Sequence, residues 1–317
     1  MKPNSLGFIY PGQGAQQVGM GADLCETHAA ARKRFDQADN FLGFSIKDCC
    51  LKGPRETLAQ DLNAQLGIYT VSTIVTDMLM KAKVVPDICA GYSSGFYAAA
   101  YASGCFDFLT GLAMVRTAGK ILLKTSQMYD GGMAVIFGLP LEQIQLITQK
   151  VGNVDVAIHN TPRQIVISGL KPGIDAVMTE AMRSGALDAD WLPVTTAYHS
   201  RFMADAGKSF MLTIDRNSLQ APKISLYSYT TTNPVADRDT LINVLGMQLS
   251  HPVLWVDLIR KLRHNQIDTL VEMGPGTMLS RSIRWIDRHI AMLDTSTAIK
   301  TQEVIDSLSP GTVCHAK

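Results

Sequence analysis

The sequence predicts an α/β protein in which a parallel-sheet main domain carries a small inserted ferredoxin-like subdomain. Short apolar runs typical of buried strands alternate along the chain with longer segments whose apolar residues have helical spacing. Between residues 131 and 197 the predicted elements follow the order β-α-β-β-α-β, which is the pattern of a ferredoxin-like unit. We therefore predict a main domain formed by residues 1–130 and 198–307, a subdomain at 131–197 and a tail at 308–317.

The elements themselves are predicted from apolar periodicity and from the glycines and prolines that interrupt it. In the first part of the main domain, strands are predicted at 6–10 and 88–90, and helices at 22–42, 55–82, 96–102 and 109–128. In the subdomain, strands are predicted at 133–138, 154–158, 164–168 and 191–194, and helices at 141–151 and 172–184. After it come helices at 201–215, 238–249 and 253–264, and strands at 224–228 and 269–273.

Composition excludes several classes of protein. A chain of 317 residues that is 46% hydrophobic can bury a large core. A net charge of +1 with 7% aromatic residues gives no electrostatic case for a nucleic-acid partner. No apolar run reaches the roughly 18–20 residues that span a bilayer, and the N-terminus is too weakly apolar for a signal peptide, so we expect no membrane association. Six cysteines without a C-x-x-C pair or a histidine at metal spacing predict reduced thiols, no metal site and a cytoplasmic location.

The most informative stretch is residues 91–95, GYSSG, which lies between a short apolar run and a predicted helix. A G-x-S-x-G sequence in a strand–turn–helix context predicts a nucleophile elbow, as in α/β-hydrolase-like proteins, and makes Ser93 a candidate nucleophile. The amide of Ser94 then lies at a helix N-terminus, where it can bind a developing oxyanion. The alternative is an ordinary Ser/Gly-rich turn. The flanking pattern favours catalysis.

A serine hydroxyl needs a base, and histidine is the usual one near neutral pH. Four of the seven histidines lie in charged, polar or terminal segments that predict solvated side chains. His159, His199 and His251 remain. His199 is favoured because it follows a junction between subdomains, where clefts form. No aspartate or glutamate is an evident third member, so a backbone carbonyl or an amide side chain is the expected orienter.

Taken together, the motifs resemble the malonyl-CoA:acyl-carrier-protein transacylase family, the acyltransferases of fatty-acid and polyketide synthesis. The resemblance covers nearly the whole chain, and its motifs occur in the order and at about the spacing of the family. They are residues 11–16 (PGQGAQ), 91–95 (GYSSG), 160–162 (NTP), 164–169 (QIVISG), 197–200 (AYHS), Gln248, 251–255 (HPVLW) and 272–276 (EMGPG).

The resemblance implies a role for each matching residue. Ser93 would be the nucleophile, and His199 the general base and later the acid. The backbone carbonyl of Gln248 would orient His199, and the amides of Gln13 and Ser94 would form the oxyanion hole. The ferredoxin-like subdomain would wall the cleft, and the mechanism would be ping-pong through an acyl-enzyme.

The same resemblance implies the acyl pocket and the partners. Tyr92, Ala118, Asn160 and Tyr198 would line the acyl pocket. The enzyme would be a cytoplasmic monomer that needs no cofactor of its own, because its substrates, acyl-CoA and acyl carrier protein, bring phosphopantetheine with them.

Two departures from the family matter. The residue before the serine is usually histidine, and here it is Tyr92. The arginine that clamps a malonyl carboxylate lies on the helix after the elbow, directly before a small residue. Counted without a gap, with Gly119 matched, that position is Ala118, and Arg116 lies roughly 200° around the helix from it. We predict that Arg116 points away from the pocket, although a two-residue deletion would move it into the clamp position.

Without the clamp, the pocket should prefer an uncharged acyl group, because a buried carboxylate left unpaired is strongly disfavoured. Two activities fit: transfer of a non-carboxylated acyl group, or hydrolysis of acyl groups stalled on carrier proteins. The alternatives are ordinary malonyl transfer that uses Arg116 and a non-catalytic scaffold subunit that keeps the fold. A general ester hydrolase is disfavoured, since no acidic triad member is evident.

Overall fold

A computed structural model describes residues 5–310, in which two β-sheets organise the helices. The strands are β1 (Ser5–Tyr10), β2 (Ile88–Gly91), β3 (Gly131–Phe137), β4 (Val154–Thr161), β5 (Gln164–Leu170), β6 (Asp188–Trp191), β7 (Ser225–Tyr227), β8 (Ile267–Glu272) and β9 (Ala291–Asp294). The helices are α1 (Ala22–Thr27), α2 (Ala29–Leu42), α3 (Ile46–Lys52), α4 (Arg55–Leu58), α5 (Asp61–Lys81), α6 (Gly95–Ala102), α7 (Phe108–Ser126), α8 (Leu141–Val151), α9 (Lys171–Arg183), α10 (Ala204–Met211), α11 (Arg238–Met247), α12 (Trp255–His264), α13 (Met278–Ile286) and α14 (Ala298–Leu308). Two 3-10 helices lie at Arg201–Met203 and Arg216–Ser218.

The main sheet is parallel throughout, with the strand order β7-β2-β1-β8-β9. Its central strand β1 has no exposed surface at Phe8, Ile9 or Tyr10, as expected of a strand covered by helices on both faces. The carboxyl ends of β1 and β2 are in register, with Tyr10 opposite Gly91. The loop after β1 therefore lies beside the turn after β2, at the edge where α/β proteins bind ligands. The predicted α/β class is confirmed.

The second sheet is antiparallel with the order β4-β5-β3-β6, the strand order of a ferredoxin-like unit, and it lies within the segment predicted as the inserted subdomain. Side chains alternate between its two faces. On β3, Ala134 and Ile136 pack into a core shared with α8 and α9, whereas Met133 and Val135 face the main domain. One face of the subdomain is thus available to line a cleft.

Helices α5 and α7 pack closely because α7 has glycines at the contact. A Cβ at Gly119 would lie 2.7 Å from Leu62 Cδ1, and one at Gly111 would collide with the Tyr69 hydroxyl. Tyr69 in turn donates a hydrogen bond to the carbonyl of Phe108 at 3.1 Å. This packing fixes the rotation of α7 relative to α5.

Some predicted boundaries were wrong. The last strand of the subdomain was predicted at 191–194 but ends at Trp191. Pro193 has no N–H to donate to a neighbouring strand. The strand begins instead at Asp188, in a polar and mostly exposed run, and apolar periodicity does not detect such a run. The helix predicted at 22–42 is interrupted at His28, whose extended backbone (φ −127°) separates α1 from α2.

Four elements were missed by the periodicity argument, namely α3, α13, β9 and α14. Each is short, at four to eleven residues, and a short run indicates a period less strongly than a long one. The tail predicted at 308–317 begins where α14 ends, at Leu308, and its residues 311–317 lie outside the described part of the chain.

No helix within residues 5–310 has both the length and the apolar character needed to cross a membrane. The five cysteines in that part of the chain are buried free thiols.

Candidate active site

Ser93 lies on a tight turn between β2 and α6. Its φ of 51° is positive, a conformation that non-glycine residues rarely adopt and that is typical of a nucleophile elbow. The flanking glycines are required sterically, because a Cβ at Gly91 would collide with the amide of Phe96 and one at Gly95 with the carbonyl of Tyr10. The turn therefore presents Ser93 at the carboxyl edge of the main sheet.

Replacing Gly95 with alanine is expected to lower the free energy of unfolding by about 2–3 kcal/mol, because the added methyl group meets backbone that cannot move independently. Urea unfolding measures this. Gly246→Ala is the matched control, since the nearest atoms to its methyl group belong to the side chain of Met211 rather than to backbone, and it should cost less. Equal effects of the two substitutions would contradict a rigid elbow.

The structure brings His199 to Ser93. The Ser93 Oγ lies 2.8 Å from His199 Nε2, and His199 Nδ1 lies 2.9 Å from the carbonyl oxygen of His251. A carbonyl can only accept, so Nδ1 carries the proton and Nε2 is left as the acceptor for the serine hydroxyl. His199 also has a positive φ, 58°, and is only 6% exposed. This is the arrangement of a nucleophile and its base, with no acidic third member.

The structure adds a second carbonyl, that of His251, to the one predicted at Gln248 for orienting His199. The partner of Nδ1 at 2.9 Å is His251, whereas the Gln248 carbonyl accepts a hydrogen bond from the Tyr229 hydroxyl at 3.1 Å. Gln248 contributes as well, because hydrogen bonding of the imidazole to the carbonyls of both residues acts to raise the pKa of His199. Both residues follow the end of α11, where several carbonyls lack helical partners, and the sequence does not reveal which of them faces the imidazole.

Burial lowers the pKa of His199 to about 4, and the two carbonyls oppose this only partly. The imidazole is therefore neutral, and able to accept a proton, across the neutral range.

The rate of Ser93 acylation is expected to stay level from about pH 8 down to about pH 5 and to fall only as the pH approaches about 4. The sign follows from the base: protonation of His199 removes the acceptor, and it occurs below its pKa. Single-turnover acylation rates at each pH measure the profile, with circular dichroism to identify acid unfolding. A midpoint near about 6.5, the ordinary histidine value, would contradict the buried base.

The loop after β1 packs directly on the elbow. A Cβ at Gly12 would lie 2.5 Å from the Tyr92 carbonyl oxygen and 3.4 Å from the Ser94 amide nitrogen, so only glycine allows this approach. Gln13 and Ser94 both line the same cavity as Ser93. Within residues 5–310 neither of their backbone amides donates to another protein group. Two free amides beside the nucleophile are the elements of an oxyanion hole.

A cavity of about 380 Å³ opens from Ser93 between the two sheets. Its apolar wall is formed by Ala118, Leu122, Met133, Val135, Ile158, Val166, Leu192, Val194, Leu249 and Met278. Its polar lining comes from uncharged side chains, among them Gln13, Gln65, Asn160, Gln164 and Tyr198. None of the aspartates, glutamates, lysines or arginines in the described part of the chain lines it. The lining is therefore largely apolar, with uncharged polar groups.

Ala118 and Arg116 lie on different faces of α7. Ala118 lines the cavity and is 1% exposed. The Arg116 guanidinium instead lies over the ring of Phe41, 4.5 Å from its centroid, and its Nη1 donates to the Phe41 carbonyl at 3.4 Å. The prediction that Arg116 points away from the cavity is confirmed, and the position facing the acyl space is occupied by a methyl group.

The other predicted pocket residues, Tyr92, Tyr198 and Asn160, also line the cavity. Tyr92 is buried and packs edge-on against Trp255, with ring centroids 5.3 Å apart. Tyr198 donates a hydrogen bond to Asp61, and burial together with that carboxylate raises its pKa. Its hydroxyl therefore stays protonated and acts as a donor.

Sequence reasoning missed Gln65 and Asp61. Gln65 lines the cavity and donates through Nε2 to Gln13 Oε1 at 3.1 Å, and Gln13 Nε2 donates to Asp61 Oδ1 at 2.5 Å. The available signal was the position of Gln65, the one long polar side chain near the start of an uncharged helical run, 64–75, whose other polar residues are small hydroxyl side chains or Tyr69. Such a buried polar residue needs a partner, and here it faces the site.

Comparisons with known proteins agree with this geometry. A family model described as the acyl transferase domain matches residues 7–312. The chain is 30% identical over 309 residues to the malonyl CoA-acyl carrier protein transacylase of Bacillus subtilis, an alignment that spans 96% of this chain and 98% of that relative. It is 34% identical to the polyketide biosynthesis malonyl CoA-acyl carrier protein transacylase BaeC of Bacillus velezensis, over 88% of this chain and 96% of that one. The solved structure of the malonyl CoA-acyl carrier protein transacylase from Coxiella burnetii superposes with a TM-score of 0.92 at 27% identity, and the match covers 97% of this chain and 99% of the other.

Proposed function

Since this chain belongs to the acyl transferase domain family, we propose that it takes an uncharged acyl group from a thioester of CoA or acyl carrier protein onto Ser93 and passes it to a second acceptor. The observation that carries the choice of acyl group is the lining of the cavity. Ala118 occupies the clamp position, and none of the aspartates, glutamates, lysines and arginines of residues 5–310 lines the cavity. The acyl carrier protein is proposed as a partner because the relatives are named for it.

In the first half-reaction, the Ser93 Oγ attacks the thioester carbonyl carbon while His199 Nε2 takes the hydroxyl proton. The negative charge that develops on the carbonyl oxygen is stabilised by the amides of Gln13 and Ser94. The tetrahedral intermediate then collapses, the carbon–sulfur bond breaks, and the leaving thiolate receives the proton from Nε2. The products are a free thiol and an acyl ester on Ser93.

In the second half-reaction, a thiol enters, His199 Nε2 takes its proton, and the sulfur attacks the ester carbonyl. The carbon–oxygen bond breaks and Ser93 recovers its proton from Nε2. The low pKa of His199 makes its protonated form short-lived in both halves, so that it returns the proton readily. The His251 carbonyl stabilises the Nδ1 proton throughout, in place of a triad acid. Water can take the place of the thiol, and the result is then hydrolysis.

Malonyl transfer, the activity in the names of the relatives, is disfavoured for this chain by charge. A malonyl carboxylate in this cavity would lose its hydration and would meet no cation, because Arg116 is engaged with Phe41. An unpaired buried carboxylate costs several kcal/mol, which is enough to reverse a preference.

The proposal is tested by incubating the enzyme with malonyl-CoA, with acetyl-CoA and with acyl-loaded carrier protein, and by following the intact mass of the protein over time. The expected result is an acetyl or longer uncharged acyl adduct on Ser93, and little malonyl adduct. Addition of free carrier protein then separates transfer, in which the carrier gains the acyl group, from hydrolysis, in which the adduct disappears without it.

Two outcomes would contradict the proposal. A stable malonyl adduct that passes to carrier protein would make this an ordinary malonyl transacylase. The absence of any adduct, with a Ser93→Ala protein as the inert reference, would favour a scaffold that retains the fold without the chemistry.

A further inference from the structure

Asp61, the first residue of α5, lies directly behind the cavity wall. Its Oδ1 accepts a hydrogen bond from Gln13 Nε2 at 2.5 Å, and its Oδ2 accepts one from the Tyr198 hydroxyl. Both donors line the cavity, one beside the nucleophile and the other next to His199 in the chain. A single side chain, that of Gln13 or Tyr198, therefore separates the carboxylate from the cavity. These two residues hold the carboxylate from different sides of the cavity.

The two hydrogen bonds indicate that this group is charged. Both oxygens act as acceptors, which is the pattern of an ionised carboxylate. The N-terminus of α5, with its partial positive charge, further favours an anion there. Among residues 5–310 no lysine, arginine or histidine forms an ion pair with Asp61. Its charge is therefore not cancelled by a neighbouring cation.

This charge lies near the position that faces the acyl group. Leu62, the next residue of α5, packs against Gly119, the residue after Ala118, so the first turn of α5 meets α7 at the cavity. A carboxylated acyl group would bring a second negative charge into a site partly shielded from water, where like charges repel more strongly than in bulk solvent.

From these contacts we infer that Asp61 is a specificity-determining residue that repels carboxylated acyl groups from the cavity. The inference rests on the proposed function and adds a cause to it: the cavity lacks a cation at Ala118 and also has an anion behind its wall. An uncharged acyl group does not experience this repulsion.

The test is Asp61→Asn, which keeps the shape of the side chain and can keep a hydrogen bond to each partner. Acylation of Ser93 is measured with malonyl-CoA and with acetyl-CoA, and the ratio of the two kcat/KM values is compared with that of the unmodified protein. The ratio of malonyl to acetyl is expected to rise about tenfold, the size of effect that a unit charge several ångströms away has in a partly screened site. A purely structural role would lower both values alike and leave the ratio unchanged.

Two further variants complete the design. Asp61→Glu keeps the charge and should keep the original ratio. Asp107→Asn removes one negative charge from the N-cap of α7, about 16 Å along the helix from Ala118. Asparagine also caps helices, so the fold should be kept, and the ratio should stay the same. If unmodified protein prefers acetyl and Asp61→Asn does not change the ratio, the role of Asp61 is overturned while the proposed function stands. If unmodified protein prefers malonyl, the proposed function itself is contradicted.

Discussion

Replacing Ser93 with alanine is expected to abolish the acyl-enzyme and to lower turnover by about 10⁴-fold or more, the scale found when the nucleophile of a serine enzyme is removed. The reason is geometric: Ser93 Oγ lies 2.8 Å from Nε2 of His199, the only histidine within residues 5–310 that lines the cavity. Intact mass and peptide mapping after incubation with an acyl thioester measure the loss. An adduct that persists on another residue would contradict the assignment of the nucleophile.

The substitution should leave the fold intact, because Ser93 Oγ makes no hydrogen bond to a described residue other than His199. Thermal unfolding of the alanine protein provides the control. If the alanine protein is folded but unlabelled, the loss of the adduct is due to the missing nucleophile. If it melts at a lower temperature, the loss is due to unfolding and says nothing about the nucleophile.

Ala118→Arg is expected to raise the malonyl-to-acetyl ratio of kcat/KM by about 30-fold, since a charge-assisted pair with the malonyl carboxylate contributes about 2 kcal/mol. Ala118 faces a cavity of about 380 Å³, which has room for the arginine side chain. Initial acylation rates with the two CoA esters measure the ratio. No change in a protein that still melts normally would contradict the view that this position controls acyl charge.

Thr117→Arg is the matched control for that prediction. It introduces the same side chain one residue earlier, about 100° around α7, at a position that does not line the cavity. Its ratio should stay close to that of the unmodified protein. A gain equal to that of Ala118→Arg would point to the added net charge rather than to its position.

The parts of the site that depend on local order along the chain could be predicted from sequence. The elbow at Ser93 is one example, because strand, glycine, serine, glycine and helix follow each other directly. The direction of Arg116 is another, since helical geometry alone separates it from Ala118 by roughly 200°. In both cases the geometry is set by neighbours within about one or two helical turns.

The parts that depend on contacts between distant segments could not be predicted. The His251 carbonyl accepts the Nδ1 hydrogen bond at 2.9 Å because of how the chain turns after α11, which residue types do not encode. The contacts of Asp61 join segments 48 and 137 residues apart in the chain, and the residue itself reads as an ordinary acidic first turn of a helix. Its position beside the cavity follows from tertiary packing, which brings the start of α5 against Gln13 and Tyr198.

A competition experiment shows whether the acyl group carried by Ser93 is uncharged. Equal concentrations of malonyl-CoA and acetyl-CoA are mixed with the enzyme, the reaction is quenched within the first turnover, and the two adducts are counted by intact mass. Because both esters compete for the same free enzyme, the adduct ratio equals the ratio of their kcat/KM values for acylation. If the acyl group is uncharged, acetyl adduct is expected to exceed malonyl adduct by about tenfold or more. An excess of malonyl adduct on Ser93 would contradict it.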